Sequence, residues 1–447
     1  MEIAGGGMSK EIKVKLIENE DWDFKKADTK YMTHGLHPYP ARMIPQIAKR
    51  LLERYAKVND VVLDPFCGSG GVLVEARLAG MHSVGIDINP LACLIAEVKS
   101  TPIDPKILSK HWTTLKAKIG MDIWLFKSRL RSEVEVPDFS GTNLEYWFKP
   151  STIRELSIIR SHLMEIKDDL IRKFFDVAFS ATIRQVSGVR KREYKLHRMP
   201  EVEWTKYDPD VFGTFRENVE KSIEKMKEFY NACDKNVSSK VFLADTRNLL
   251  TDMFPAEGNQ LLLENPPKII VTSPPYGDSR TTVAYGQFSR LSALWLNYEK
   301  GFDRRIIMNL DKLSLGGRPS NVHKLEGLET LNQTIALIER RDKNRAKEAM
   351  AFYCDLYECL KRIYAVLAYG GFCCIVIANR TISRIQVPTH VIIAEMGVDI
   401  GFANDIVIYP RRIPTKRLPW ENAPENIPGL KGKTMSRENI IVLKKQD

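Results

Sequence analysis

Five short apolar runs constrain this chain more than anything else in it: VVLD (61–64), HSVGID (82–87), KVFLAD (240–245), KIIVTS (268–273) and GFCCIVIA (371–378). None alternates apolar with polar residues as a half-solvated strand must. Each therefore reads as a strand buried on both faces, a property of parallel sheets covered by helices. Between them lie helical patterns such as PLACLIAEVK (90–99) and the stretch 346–367, where Phe352, Leu356, Leu360, Ile363 and Leu367 recur at spacings of three and four. Alternating strand and helix predicts an α/β fold with a doubly wound, mostly parallel sheet. Two further runs, NDIVIYP (404–410) and NIIVLKK (439–445), predict an antiparallel edge at the C-terminal end.

One long interval breaks the alternation. From 101 to 238 no sheet-type strand is visible and the pattern is mostly helical, ending in a helix with Phe212, Phe215, Val219, Ile223, Met226 and Phe229 on one face. The expected organisation is an N-terminal extension (1–29), a catalytic domain (30–100 and 239–447) and a helical insertion (101–238). A second interval, 277–345, is rich in Gly, Arg and Ser and reads as irregular.

The net charge of +11 and pI near 9.1 point to attraction to a polyanion or an anionic surface. Seven scattered cysteines form no CxxC pair and have no histidine at ligand spacing, so they read as reduced core residues and no metal is expected. The longest apolar runs are too short to span a bilayer, which predicts no membrane association and a cytoplasmic protein.

Chemistry concentrates at two strand tips. The stretch VVLDPFCGSGGVLVEARLAG is a strand, a glycine turn and a helix, the unit that presents a ligand to a helix N-terminus. Leu73 stands where a dinucleotide fingerprint needs its third glycine. Asp64, at the strand tip, would repel a pyrophosphate, yet it suits a ligand carrying an ammonium and a sulfonium, such as S-adenosylmethionine. Asp87 ends the next strand, where an acid can accept ribose hydroxyls, and Asp245 ends a third, placed for an adenine amine. A single such Asp is as well explained by a turn or helix cap, but three beside a glycine loop are not.

The second tip is TSPPYGDS, whose paired prolines stiffen the chain as it leaves strand 268–273. In a doubly wound sheet of order 3-2-1-4-5 this tip neighbours Asp64 at the switch point, where ligands bind. Ser273 and the Pro274 carbonyl become acceptors for the hydrogens of an exocyclic amine, and Tyr276 a stacking plate for a base rotated out of the duplex. The nearby ENPPK (264–268) lacks the aromatic residue and precedes its strand, so it reads as a loop.

On DPFCGSG and TSPPYGDS together the sequence resembles the DNA amino-methyltransferases, and the Ser-Pro-Pro-Tyr form is similar to their cytosine-N4 branch. The resemblance implies a Rossmann-like class I methyltransferase fold with S-adenosylmethionine held by Asp64, Pro65, Phe66, Gly68, Gly70, Asp87, Ile88, Asp245 and Thr246. It also implies Ser273, Pro274, Pro275 and Tyr276 at the reacting amine. The segment 33–55 resembles the one these enzymes pack beside the methionine end of the cofactor, implicating Tyr39 and Pro40. The implied partners are double-stranded DNA and a cognate restriction endonuclease. Adenine N6, an RNA guanine N2 and a catalytically silent DNA-binding protein stay open as alternatives.

Phosphate contacts are expected from the insertion, where Arg184, Arg190, Lys191, Arg192, Lys195 and Arg198 cluster, whereas Arg280, Tyr285 and Arg290, after the second motif and close to the extruded base, are expected to hold the orphan strand or the target edge. A solvated basic loop explains the first cluster equally well.

Overall fold

The computed structural model describes residues 2–3, 12–130, 134–190, 194–277, 282–297, 304–318, 322–413 and 437–447. Lys191, Arg192 and Arg280, named above as nucleic-acid contacts, lie outside them. Among the described residues, nine strands form one sheet: β1 (Glu2–Ile3), β2 (Ile12–Leu16), β3 (Val61–Asp64), β4 (His82–Asp87), β5 (Ser239–Leu243), β6 (Ile269–Thr272), β7 (Phe372–Ala378), β10 (Asp405–Arg412) and β11 (Arg437–Lys444). A two-stranded ribbon, β8 (Thr381–Ile382) and β9 (Ile385–Gln386), stands apart. The order is β1-β2-β10-β11-β7-β6-β3-β4-β5.

Strands β5, β4, β3, β6 and β7 are mutually parallel. β3 and β6 are neighbours, so the chain reverses its direction of winding between them. Both faces are dry. Leu63, Ile270, Cys373 and Ile375 pack against helices Lys343–Val366 and Thr389–Ile400, while Val62, Ile269, Val271 and Cys374 pack against helices Pro45–Tyr55 and Gly71–Leu78. Adjacent residues bury on opposite sides, which is why these strands read as unbroken apolar runs.

β10 and β11 pair antiparallel, but they do not end the sheet. β11 lies between β7 and β10, and β10 is covered in turn by β2, which runs parallel to it. Within the first 29 residues, then, Ile12–Leu16 is a strand of the central sheet.

Residues 101–238 fold mainly as helices, the longest being Pro105–Lys127, Pro150–Met164, Asp169–Gln185 and Val211–Ala232. Asp104, Asp168 and Asp210 each accept a backbone N–H at the start of one of them. Phe174, Phe179, Phe215 and Phe229 form one core with Leu91 and Ile95 of helix Pro90–Ser100 and with Phe288 and Trp295. The helices are thus fused to the wall of the sheet domain.

The interval 277–345 is not irregular, contrary to expectation. It contains helices Tyr285–Leu296, Arg304–Leu313 and Glu329–Glu339. In the first, Phe288, Leu291 and Trp295 are buried, but the Gly and Ser residues between them mask the periodicity. Packing against the insertion decides the conformation of this first helix, while Leu331 and Ile338 of the last one pack in the core of the sheet domain.

Candidate active site

The C-terminal ends of the parallel strands open into a cleft with about 1040 Å³ of free space. Its lining includes Tyr39, Pro40, Asp64, Pro65, Phe66, Gly68, Asp87, Ile88, Asp245, Thr246, Ser273 and Pro275, all singled out from the sequence. Gly70 sits behind this wall, with Gly71 taking its place on the surface.

The glycine turn is demanded by geometry. Gly68 and Gly70 have φ of +49° and +75°, and a Cβ on Gly70 would lie 2.7 Å from the Cα of Ala96. The Gly68 N–H donates to the Asp87 carboxylate at 2.9 Å and the Asn89 N–H to its other oxygen at 2.8 Å, so Asp87 organises the turn it faces.

Each of the three acids has a different environment. Asp64 is buried and accepts the Thr272 hydroxyl at 2.7 Å and the Phe66 N–H at 3.2 Å. Burial pushes it up to about 7, and these donors only partly oppose that. Burial likewise raises Asp87 to about 6. Asp245 is held by the Arg247 guanidinium, which also contacts Asp355 at 3.0 Å and donates to the Leu313 carbonyl at 2.7 Å. Both oxygens of Asp245 are engaged by Arg247, whose backbone N–H donates to one of them at 2.9 Å and whose guanidinium donates to both.

At the tip of β6, Ser273 and Pro275 face the cleft while Pro274 is buried. Tyr276 is not among the lining residues. Its ring packs on the core under the sheet and its hydroxyl donates to Glu438 at 2.8 Å, while the Ser273 hydroxyl donates to Tyr276 at 3.3 Å.

Other walls were not legible beforehand. Leu310, Leu313, Ser314 and Leu315 close one side, contributed by helix Arg304–Leu313 and the turn after it. Asn89 donates to the Tyr39 hydroxyl at 3.0 Å and to Ser289 at 2.7 Å, tying the second strand's exit to helix Tyr285–Leu296. The apolar positions Ile307, Leu310 and Leu313, three residues apart, were the available signal for the first of these walls.

The basic residues divide by environment. Arg190 is exposed and Lys195 half-buried, on a turn bridged between Val189 and Arg198. This turn docks on helix Tyr285–Leu296 through the Leu196 N–H, which donates to Gln287 at 3.2 Å. Arg198 stacks on Tyr146 and Trp204 and pairs with Glu201. Arg184 lies 4.1 Å over the Phe288 ring and donates to that residue's carbonyl, and desolvation lowers it to about 10. Arg290 donates to the Met308 carbonyl. Tyr285 is a cleft residue, stacked on Tyr39 with centroids 6.0 Å apart.

Three buried or half-buried acids on the walls match a ligand carrying positive charge and hydroxyls, the donor set of S-adenosylmethionine. Among the described residues no group of acids, cysteines and histidines is arranged to hold a metal, and no helix is long and apolar enough to cross a membrane.

Residues 10–98 match the family model described as DNA methylase, N6_N4_Mtase. Over 442 residues the chain is 36% identical to the Type II methyltransferase M.MvaI of Kocuria varians, covering 96% of this chain and 95% of that one. It is 22% identical over 342 residues to the Type II methyltransferase M.BsoBI of Geobacillus stearothermophilus, 70% of this chain and 62% of that one. A local similarity, 46% over 52 residues, links 11% of the chain to 16% of the tRNA (guanine(10)-N2)-dimethyltransferase of Methanothermobacter thermautotrophicus. The first of these similarities runs from end to end, insertion included, where the tRNA enzyme shares only one short stretch. The chain belongs to the DNA methylase family, as a Type II DNA methyltransferase that takes its methyl group from S-adenosylmethionine.

Proposed function

We propose that the protein methylates the exocyclic N4 amine of a cytosine rotated out of duplex DNA, as the modification partner of a restriction endonuclease. The observation that carries this reading is the adjacency of Ser273 to Thr272, whose hydroxyl meets Asp64 at 2.7 Å. The acid for the donor's methionine end and an acceptor for the target amine thus stand on neighbouring strands.

When bound, S-adenosylmethionine supplies an electrophilic methyl group on a sulfonium. Asp64 would take its ammonium, Asp87 its ribose hydroxyls, and Asp245 with Thr246 and Ile88 its adenine ring. The target amine is a poor nucleophile because its lone pair is delocalised into the base. Ser273 Oγ and the Pro274 carbonyl, accepting its N–H hydrogens, would turn that lone pair out of the ring plane. Tyr276, bonded through its hydroxyl to Glu438 and Ser273, stiffens the loop that carries these acceptors. The turn carrying Arg190 and Lys195, with helix Tyr285–Leu296 beside it, supplies a basic rim for phosphates. A serine hydroxyl at the head of the motif, in place of the Asp or Asn more often seen in adenine enzymes, favours cytosine.

The test uses plasmid DNA from a methylation-deficient host, labelled S-adenosylmethionine and nucleoside analysis of the digest. N4-methylcytosine is the expected product. N6-methyladenine would reject the cytosine assignment, and full activity of a Ser273→Ala, Tyr276→Ala double variant would reject the assigned residues.

A further inference from the structure

The SPPY loop ends in a partly buried chain of hydrogen bonds that neither motif contains. β11 runs against its neighbours, so its first residues arrive at the same end of the sheet as the last residues of β6 and β7. Glu438 is there, paired across the ladder with Arg411 on β10 and Ala378 on β7. Its side chain is 12% exposed and that of Arg411 4%. One carboxylate oxygen contacts the Arg411 guanidinium, which is itself fixed by donating to the Trp22 carbonyl at 3.1 Å. The other accepts the Tyr276 hydroxyl at 2.8 Å.

From this we infer that Glu438 is a positioning residue that sets the direction of hydrogen bonding through Tyr276 to Ser273, leaving Ser273 Oγ as an acceptor towards the cleft. This role for Glu438 rests on the function proposed above. A carboxylate can only accept, so Tyr276 must give it its single hydroxyl proton. Tyr276 Oη can then only accept, and the Ser273 hydroxyl 3.3 Å away is its donor. With its proton turned inward, Ser273 presents lone pairs alone to the cleft, which is what an amine with two N–H groups requires. Arg411, a permanent cation, holds Glu438 in place, and burial together with the Glu438 charge keeps the Tyr276 phenol protonated.

Glu438→Gln is close to isosteric and discriminates. Arg411 offers only donors, so it draws the amide oxygen to itself and turns the amide NH2 towards Tyr276. The chain then reverses, and Ser273 donates into the cleft against the amine. With labelled cofactor and plasmid DNA from a methylation-deficient host, kcat is expected to fall by roughly a hundredfold to a thousandfold, in the range of a lost active-site hydrogen bond. KM for DNA, calorimetric affinity for S-adenosylmethionine and Tm should stay near wild type. Glu438→Asp, still an acceptor only, should recover most of the rate. Tyr276→Phe severs the chain while keeping the ring, so adding Glu438→Gln to it should cost nothing further.

A wild-type rate in Glu438→Gln, or the same loss repeated in full on top of Tyr276→Phe, overturns the inference while leaving the proposed function intact. Wild-type protein that transfers no label to DNA overturns the function and this inference together. Should Glu438→Gln fail to fold, Tyr276→Phe decides: an unchanged kcat there also overturns it.

Discussion

Thr272 donates its hydroxyl to Asp64 at 2.7 Å, joining residues 208 positions apart in the chain. Each ends a parallel strand, and the two strands are neighbours because the winding direction reverses between them. This bond couples the two halves of the site: Asp64, proposed to face the donor's methionine end, is oriented by the residue that precedes Ser273. Thr272→Val should therefore leave Asp64 with only the Phe66 N–H and raise its pKa further. Calorimetric titration should show S-adenosylmethionine binding several-fold weaker at pH 7 and recovering at pH 8. Stability should fall by about 1 kcal/mol, the usual net worth of one hydrogen bond.

The raised acids give a signed pH dependence. Asp64 near 7 and Asp87 near 6 lie above their ordinary 3.8, so the folded, ligand-free protein prefers them protonated. Their contribution to stability is complete below about 3.8 and is lost as pH rises through about 6 and then about 7. A cationic ligand reverses the preference, because it binds the carboxylates. Affinity for S-adenosylmethionine should therefore rise between pH 5 and 7, by up to about tenfold per pH unit for each acid, and flatten as the ligand's α-amino group nears its own pKa of about 7.7–8.0. Proton release on binding, measured in buffers of different ionisation enthalpy, should peak near pH 6. A flat profile would show that neither acid meets the ligand's charge.

Gly70→Ala introduces a Cβ 2.7 Å from the backbone of Ala96 at a φ of +75°. Neither helix Gly71–Leu78 nor helix Pro90–Ser100 can yield without opening the cleft wall. The expected outcome is loss of several kcal/mol of stability, about 1–3 from the backbone conformation alone, together with loss of cofactor binding. Chemical denaturation checks the first and fluorescence titration the second.

Arg247 bridges Asp245, Asp355 and the Leu313 carbonyl, which fastens the segment Leu310–Leu315 over the cleft. Arg247→Leu should leave Asp245 without its partner and free that segment. Hydrogen exchange across 304–318 should accelerate, and cofactor affinity should drop by an order of magnitude or more, roughly the 1–3 kcal/mol of a lost charged hydrogen bond. Unchanged exchange would mean that packing of Leu310 alone holds the wall.

Reversing charge at Arg190, Lys191 and Arg192 should weaken DNA binding and lower the slope of log affinity against log salt by about one for each phosphate no longer neutralised. Cofactor affinity should not move, since Arg190 is exposed and outside the cleft lining. Arg198 makes a useful contrast. It is stacked between Tyr146 and Trp204, so Arg198→Ala should lower Tm more than it lowers salt sensitivity.

Tip residues were readable in advance wherever local chemistry left no alternative. Asp64, Gly68 and Asp87 announce themselves because a strand, a tight turn and a helix in succession need glycines and leave few roles for an acid. Arg184 and Arg198 did not: a charged side chain in a basic run looks the same whether it faces phosphate or lies on an aromatic ring. Tyr285, expected beside the extruded base, lines the cleft at the strand tips against Tyr39, a placement set by helix packing and carried by no local pattern.

The sequence by itself determined the parallel core, the glycine turn and the two motifs, because burial on both faces and positive φ are local demands that few residues meet. Only the tertiary structure decided that Ile12–Leu16 extends the sheet, that the helices of 277–345 wall the cleft, and that Glu438 reaches Tyr276 from 162 residues away. Those contacts depend on strand order and on one antiparallel strand, and long-range pairing leaves no trace in the spacing of neighbouring residues.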